Sequence, residues 1–100
     1  MLQVRVRFFG PLHDVVAGQR AQVVLSETAT VQDLLSTLVD KYGDDLAKRI
    51  LTSDGKPQNY VQIFVNGRQI DRDRLHARLV AKGATEVEAL FYVLLEAVGG

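Results

Sequence analysis

Two glycines close this 100-residue sequence, Gly99-Gly100, preceded by Ala97-Val98. Neither glycine carries a Cβ, so the pair forms a strip thin enough to pass through a slot closed to other residues. A terminal carboxyl ionises with a reference pKa of about 3.3–3.7, so at neutral pH the end is expected to be a carboxylate. A bare carboxylate is a poor electrophile. Acyl chemistry at Gly100 therefore requires a second protein to activate it, with Ala97, Val98 and Gly99 as the thread that partner grips. Taken alone, the dipeptide fits a frayed end better than a functional one.

Other constellations offer less. His13 and His76 lie far apart, with no second histidine at ligand spacing and no cysteine anywhere, so no metal site is expected. Asp71, Arg72, Asp73 and Arg74 form a mixed charge run, the pattern of a solvated surface. No phosphate-binding glycine loop, dinucleotide fingerprint or Ser-His-Asp arrangement is visible. The expectation is a chain with no catalytic apparatus of its own and no resident cofactor.

Composition narrows the class. Lys plus Arg number 12 and Asp plus Glu 12, so no bulk charge points to nucleic acid or to an anionic membrane. Apolar residues make up 47% of the chain, enough for one modest core, and no apolar run approaches membrane-spanning length. The absence of cysteine suits a reducing compartment, and the amino end lacks the pattern of a secretory signal; the expected location is cytoplasmic.

The elements that must position the tail are legible in order. Leu2, Val4, Val6 and Phe8 alternate with Gln3, Arg5 and Arg7, the period of a strand with one face buried. Phe9-Gly10-Pro11 breaks it, a helical turn over 12–17 follows, and 21–25 reads as a second strand. Thr30 is a good N-cap, Asp33 favours the positive end of the helix, and Val31, Leu34, Leu35, Leu38, Val39 and Tyr42 form one apolar stripe ended by Gly43. A short amphipathic turn through Leu46, Ile50 and Leu51 interrupts a polar stretch. Residues 60–65 form a strand, Asn66-Gly67 a tight turn, and 68–70 a short edge strand. The segment 71–82 is expected to be part helix with Leu75 and Leu79 inward. Residues 86–95 combine alternation with a continuous apolar run, as in a central strand covered on both faces. This order predicts an α+β fold, a mixed sheet of four to five strands with one main helix packed on one face. Residues 1–96 are the expected domain and 97–100 a flexible tail. With the final strand central, one side of Phe91-Tyr92 points away from the helix, and an apolar patch there is the expected docking surface.

Val6-Arg7-Phe8-Phe9-Gly10-Pro11-Leu12, Ala17-Gly18, the helix start Thr30-Val31-Gln32-Asp33-Leu34-Leu35, the mid-chain Val61-Gln62-Ile63-Phe64-Val65-Asn66-Gly67-Arg68 and the terminal Val98-Gly99-Gly100 together resemble the MoaD/ThiS sulfur carriers, in particular the small subunit of molybdopterin synthase. The resemblance implies a ubiquitin-like β-grasp fold. It implies that an E1-like adenylating enzyme, which itself binds ATP, converts the Gly100 carboxylate to an acyl-adenylate, and that sulfur then replaces the adenylate. The resulting thiocarboxylate serves a molybdopterin synthase large subunit-like enzyme or another sulfur acceptor. A thiamine or amino-acid sulfur pathway, a ubiquitin-like modifier joined through Gly100 to lysines, and a β-grasp interaction domain with incidental glycines are the alternatives. The chain departs from the family where Leu94-Leu95-Glu96-Ala97 replaces the usual paired prolines, which leaves the tail less pre-extended. At 3.3–3.6 Å per residue, residues 96–100 reach about 15 Å into a partner.

Overall fold

Alternation along the first strand is realised without exception. In β1 (Leu2–Phe9) the side chains of Leu2, Val4, Val6 and Phe8 are buried and those of Gln3, Arg5 and Arg7 exposed. The structure is a computed structural model and describes residues 1–12 and 14–94. A 3-10 turn at Ala17–Gln19 leads into β2 (Arg20–Leu25), which pairs antiparallel with β1 from Leu2↔Leu25 to Arg7↔Arg20. β3 (Val61–Val65) and β4 (Arg68–Ile70) form a hairpin whose turn residues Asn66 and Gly67 both take positive φ, 49° and 82°. That conformation matches the right-handed twist of the flanking strands and explains the Asn-Gly pair.

β5 (Glu86–Val93) runs between the two hairpins, parallel to β1 and antiparallel to β3, and the sheet order is β2-β1-β5-β3-β4. The final strand is thus central, as its apolar content predicts. Among the described residues it is covered on one face only. Val87, Ala89, Phe91 and Val93 point into the core, while Glu86 and Glu88 are exposed and Leu90 and Tyr92 half-buried on the opposite face. The continuous apolar run arises because Leu90 and Tyr92 meet neighbours on their own face, with no second layer above them among the described residues.

The core face is covered by α1 (Val31–Tyr42), through Val31, Leu34, Leu35 and Leu38. Its amino end carries a reciprocal capping box: the Asp33 amide donates to Thr30 Oγ1 at 3.2 Å, and the Thr30 amide donates to Asp33 Oδ2 at 2.9 Å. Each fully buried aliphatic side chain contributes about 1.5–3 kcal/mol, against about 1 kcal/mol for a cap, so burial holds the helix and the cap sets where it starts. Gly43 ends α1 and opens α2 (Asp44–Ile50), a full helix where the sequence indicates only a turn; Leu46 and Ile50 anchor it.

Residues 71–82 form no helix, contrary to expectation, although Leu75 and Leu79 are buried as anticipated. The backbone carbonyls there are engaged elsewhere. Ala77 and Leu75 accept hydrogen bonds from the first amides of α1, Val31 at 3.1 Å and Gln32 at 2.9 Å. Two orphan donors of the helix start are satisfied by a segment distant in sequence, and the segment gives up its own i to i−4 ladder to do so.

Candidate functional site: the base of the tail and the open sheet face

The last described residues, Val93 and Leu94, leave the sheet through a collar built from three other parts of the chain. The Leu94 amide donates to the Tyr60 carbonyl at 2.9 Å, holding the backbone one residue beyond β5. The Tyr60 hydroxyl donates to the Arg49 carbonyl at 3.2 Å. Arg49 in turn forks onto Asp14, Nη1 to Oδ1 at 2.9 Å and Nη2 to Oδ2 at 2.8 Å, and Nη1 also donates to the Pro11 carbonyl. The loop after β1 is therefore tied to the end of α2, and both to the exit of β5.

Gly10 completes the collar by close approach. A Cβ on this residue would lie 2.3 Å from the Val93 carbonyl oxygen, and its φ of +129° is one that side-chain-bearing residues rarely adopt. The Gly10-Pro11 break seen in the sequence is thus the place where β1 gives way to the outgoing chain. Shallow apolar grooves flank that exit, one lined by Phe9, Pro11, Tyr92 and Leu94, the other by Leu12, Tyr60 and the stems of Lys48 and Arg49. Leu94 itself is 50% exposed.

Beside the exit, the sheet face turned away from α1 carries an aromatic cluster. Phe9 and Tyr92 are register partners across β1 and β5, and their rings stack with centroids 4.6 Å apart and planes at 14°. Phe64 of β3 meets Tyr92 edge-on at 5.5 Å, and Leu90 pairs with Phe64 one step along the strand. The Arg7 guanidinium sits 5.3 Å from the Phe9 centroid, where the ring face attracts a cation. The patch is apolar at its centre with a cationic margin, composed as a protein-docking surface is.

The predicted site residues divide accordingly. Tyr92 lies at the centre of the open face. Phe91, expected beside it, points the other way: its side chain is 0% exposed and packs on Phe8 in the core, centroids 5.2 Å apart. Adjacent residues on a strand face opposite sides, so only one of the two can meet a partner. Ala97, Val98, Gly99 and Gly100 lie outside the described residues, as do Leu95, Glu96 and His13. Phe9 and Leu90 are surface members the sequence reading overlooks. Parity alone would have found Phe9: if Phe8 points in, Phe9 at the end of the same strand points out. Among the described residues no cluster of His, Cys, Asp or Glu could hold a metal ion, and no helix is long and apolar enough to cross a membrane.

This arrangement, a mixed five-stranded sheet with a central parallel pair and a helix crossing one face, is the ubiquitin-like β-grasp. Residues 6–90 match the ThiS family, and the chain belongs to it. The family comprises ubiquitin-like sulfur carriers and modifiers. Among curated proteins, the chain is 32% identical over 69 residues to small archaeal modifier protein 3 of Haloferax volcanii, covering 69% of this chain and 73% of the relative. Solved structures alike in fold include small archaeal modifier protein 1 of H. volcanii, with a TM-score of 0.77 and 21% identity over 95% of this chain and 100% of that one. A putative molybdopterin converting factor subunit 1 from Pyrococcus furiosus superposes with a TM-score of 0.70 and 16% identity, over 95% of this chain and 100% of that one.

Proposed function

We propose that this protein is a sulfur carrier whose Gly100 carboxylate is adenylated by an E1-like enzyme and converted to a thiocarboxylate for delivery to an acceptor enzyme. The observation that carries the reading is the position of β5. It is the central strand, bonded on both sides, and it runs out at Leu94 beside the Phe9–Tyr92 stack. A partner seated on the open face would receive the chain end directly from a rigid base, with residues 1–96 as the domain and 97–100 as the threaded tail. Arginines and backbone amides of the partner would hold the carboxylate.

The chemistry asks little of the carrier. The carboxylate attacks the α-phosphate of ATP bound by the partner and pyrophosphate leaves; a sulfur nucleophile then displaces AMP from the acyl carbon. The carrier supplies a slim end, an ionised carboxyl and a docking face. Use of the thiocarboxylate in molybdopterin assembly, with a large subunit-like acceptor, is the pathway we favour; the resemblance over residues 6–12 and 61–68 and the fold likeness to the P. furiosus protein support it.

A second reading has its own support. The curated relative is named a modifier protein, and conjugation of Gly100 to lysines of other proteins would use the same activation with an amine as acceptor. Intact-mass analysis after incubation with host lysate, ATP and a sulfur source separates the two. A species in which one oxygen is exchanged for sulfur, absent after deletion of Gly99-Gly100, is the expected result for a carrier. Adducts joined through Gly100 to substrate lysines would move the assignment to a modifier. An unchanged mass where a known carrier is converted would overturn both.

A further inference from the structure

Asp71, Arg72, Asp73 and Arg74 are exposed, as their mixed charge predicts, and they open the irregular segment 71–82. With β4 and the turn at Asn66 that segment borders an open concavity of ≈ 740 Å³, within the range of small-molecule sites. Arg68, Arg74 and Arg78 line it, and Asp71 is the single carboxylate among the described lining residues. Asp71 Oδ1 is already engaged, accepting from the Asp73 amide at 2.8 Å. Arg68 and Arg74 form no ion pair among the described residues, and Arg78 donates only to a neutral carbonyl, that of Glu27, at 3.1 Å. Three guanidiniums thus share one concavity with one carboxylate between them.

Arg68 stands on β4, and the segment that presents Arg74 and Arg78 is fixed despite having no regular secondary structure. Its Leu75 and Ala77 carbonyls hold the start of α1, its Leu79 amide donates to Ala29 at 3.0 Å, and Leu75, Leu79 and Val80 are buried. Irregular backbone on a rigid scaffold is where binding groups concentrate, and pre-ordering lowers the entropic cost of using them. Leu79, Val80 and Val65 add buried apolar residues to the lining of the concavity.

We propose that this cavity binds a small phosphate-bearing ligand, its oxygens held by Arg68, Arg74 and Arg78. Guanidinium forks match phosphate oxygens in pairs, and a doubly charged group offsets repulsion that a single carboxylate leaves in place. A concave site of this size suits a small molecule better than a flat protein surface. The site is remote from the exit of β5 at Leu94: the Asn66 amide donates to the Glu88 carbonyl near the start of the strand, which then runs for about 20 Å at its usual rise before that exit. Occupancy is therefore independent of the carrier reading.

The test is to titrate the full chain with inorganic phosphate and, separately, with AMP at low ionic strength, following backbone amide shifts by NMR. Saturable shifts confined to 66–70 and 74–84 are expected, weakening with added salt as screening predicts. The double variant Arg68→Gln/Arg74→Gln removes side chains that make no ion pair or side-chain hydrogen bond among the described residues, so it should fold normally and bind at least about tenfold more weakly. Tighter binding of AMP than of phosphate would assign a nucleotide-like ligand, and equal binding a bare oxyanion; either supports the site. Shifts absent, spread equally over Arg5, Arg7 and Arg20 of the open face, or retained in the double variant would overturn it.

Discussion

Phe9 and Tyr92 lie opposite each other on parallel neighbouring strands, their rings stacked 4.6 Å apart on the sheet face turned away from α1. The stack leaves both rings half-buried by each other and by Phe64. Energy from these pairs, about 0.5–1.5 kcal/mol each, is small beside the core. The cluster is therefore expendable for folding and available for docking. Tyr92→Asp should keep the native amide spectrum, lose about 1–2 kcal/mol of stability and weaken binding to the activating enzyme at least about tenfold. Normal binding by the folded variant would remove the open face from the docking surface. The neighbouring Phe91→Ala is the control: it empties a fully buried site and should cost about 3–5 kcal/mol of stability, read by denaturant unfolding.

Gly10→Ala tests the collar. The added methyl would lie 2.3 Å from the Val93 carbonyl oxygen, at a φ an alanine disfavours, so β5 must shift or the loop must open. A loss of about 1–3 kcal/mol is expected, with amide shifts centred on 92–94 and on Tyr60, whose carbonyl holds the Leu94 amide. Alanine tolerated at wild-type stability would show that the loop adapts freely and that the exit is not set there.

Thr30→Ala should remove one half of the capping box and cost about 1 kcal/mol. For a domain of this size that is a fall of about 4–8 °C in Tm. Thr30→Ser should restore most of it, because the hydroxyl that accepts from the Asp33 amide is kept. A thermal melt unchanged by the alanine would mean that the carbonyls of Leu75 and Ala77 hold the helix start unaided.

Local chemistry determined much of this protein. Alternation placed β1 and its inward face, Thr30 and Gly43 bounded α1, Asn66-Gly67 closed a hairpin, and the apolar run before the tail marked a central strand. Each of these signals lies within a few residues of its effect. Helix α2 looks like a single turn in the sequence because its apolar positions, Leu46 and Ile50, number too few to announce a helix without the core they enter.

The tertiary structure decided the rest. Which of Phe91 and Tyr92 meets solvent depends on the side of the sheet that α1 covers, and no local pattern carries that. The same holds for Phe9, whose stacking partner is more than eighty residues away in the chain. Residues 71–82 resemble a loose helix until their carbonyls are taken by the start of α1. The convergence of Arg68, Arg74 and Arg78 on one cavity follows from that docking. Short-range physics, the strand period, caps and turns, is written residue by residue. Which face is covered and which charges share a cavity are decided only when distant segments meet.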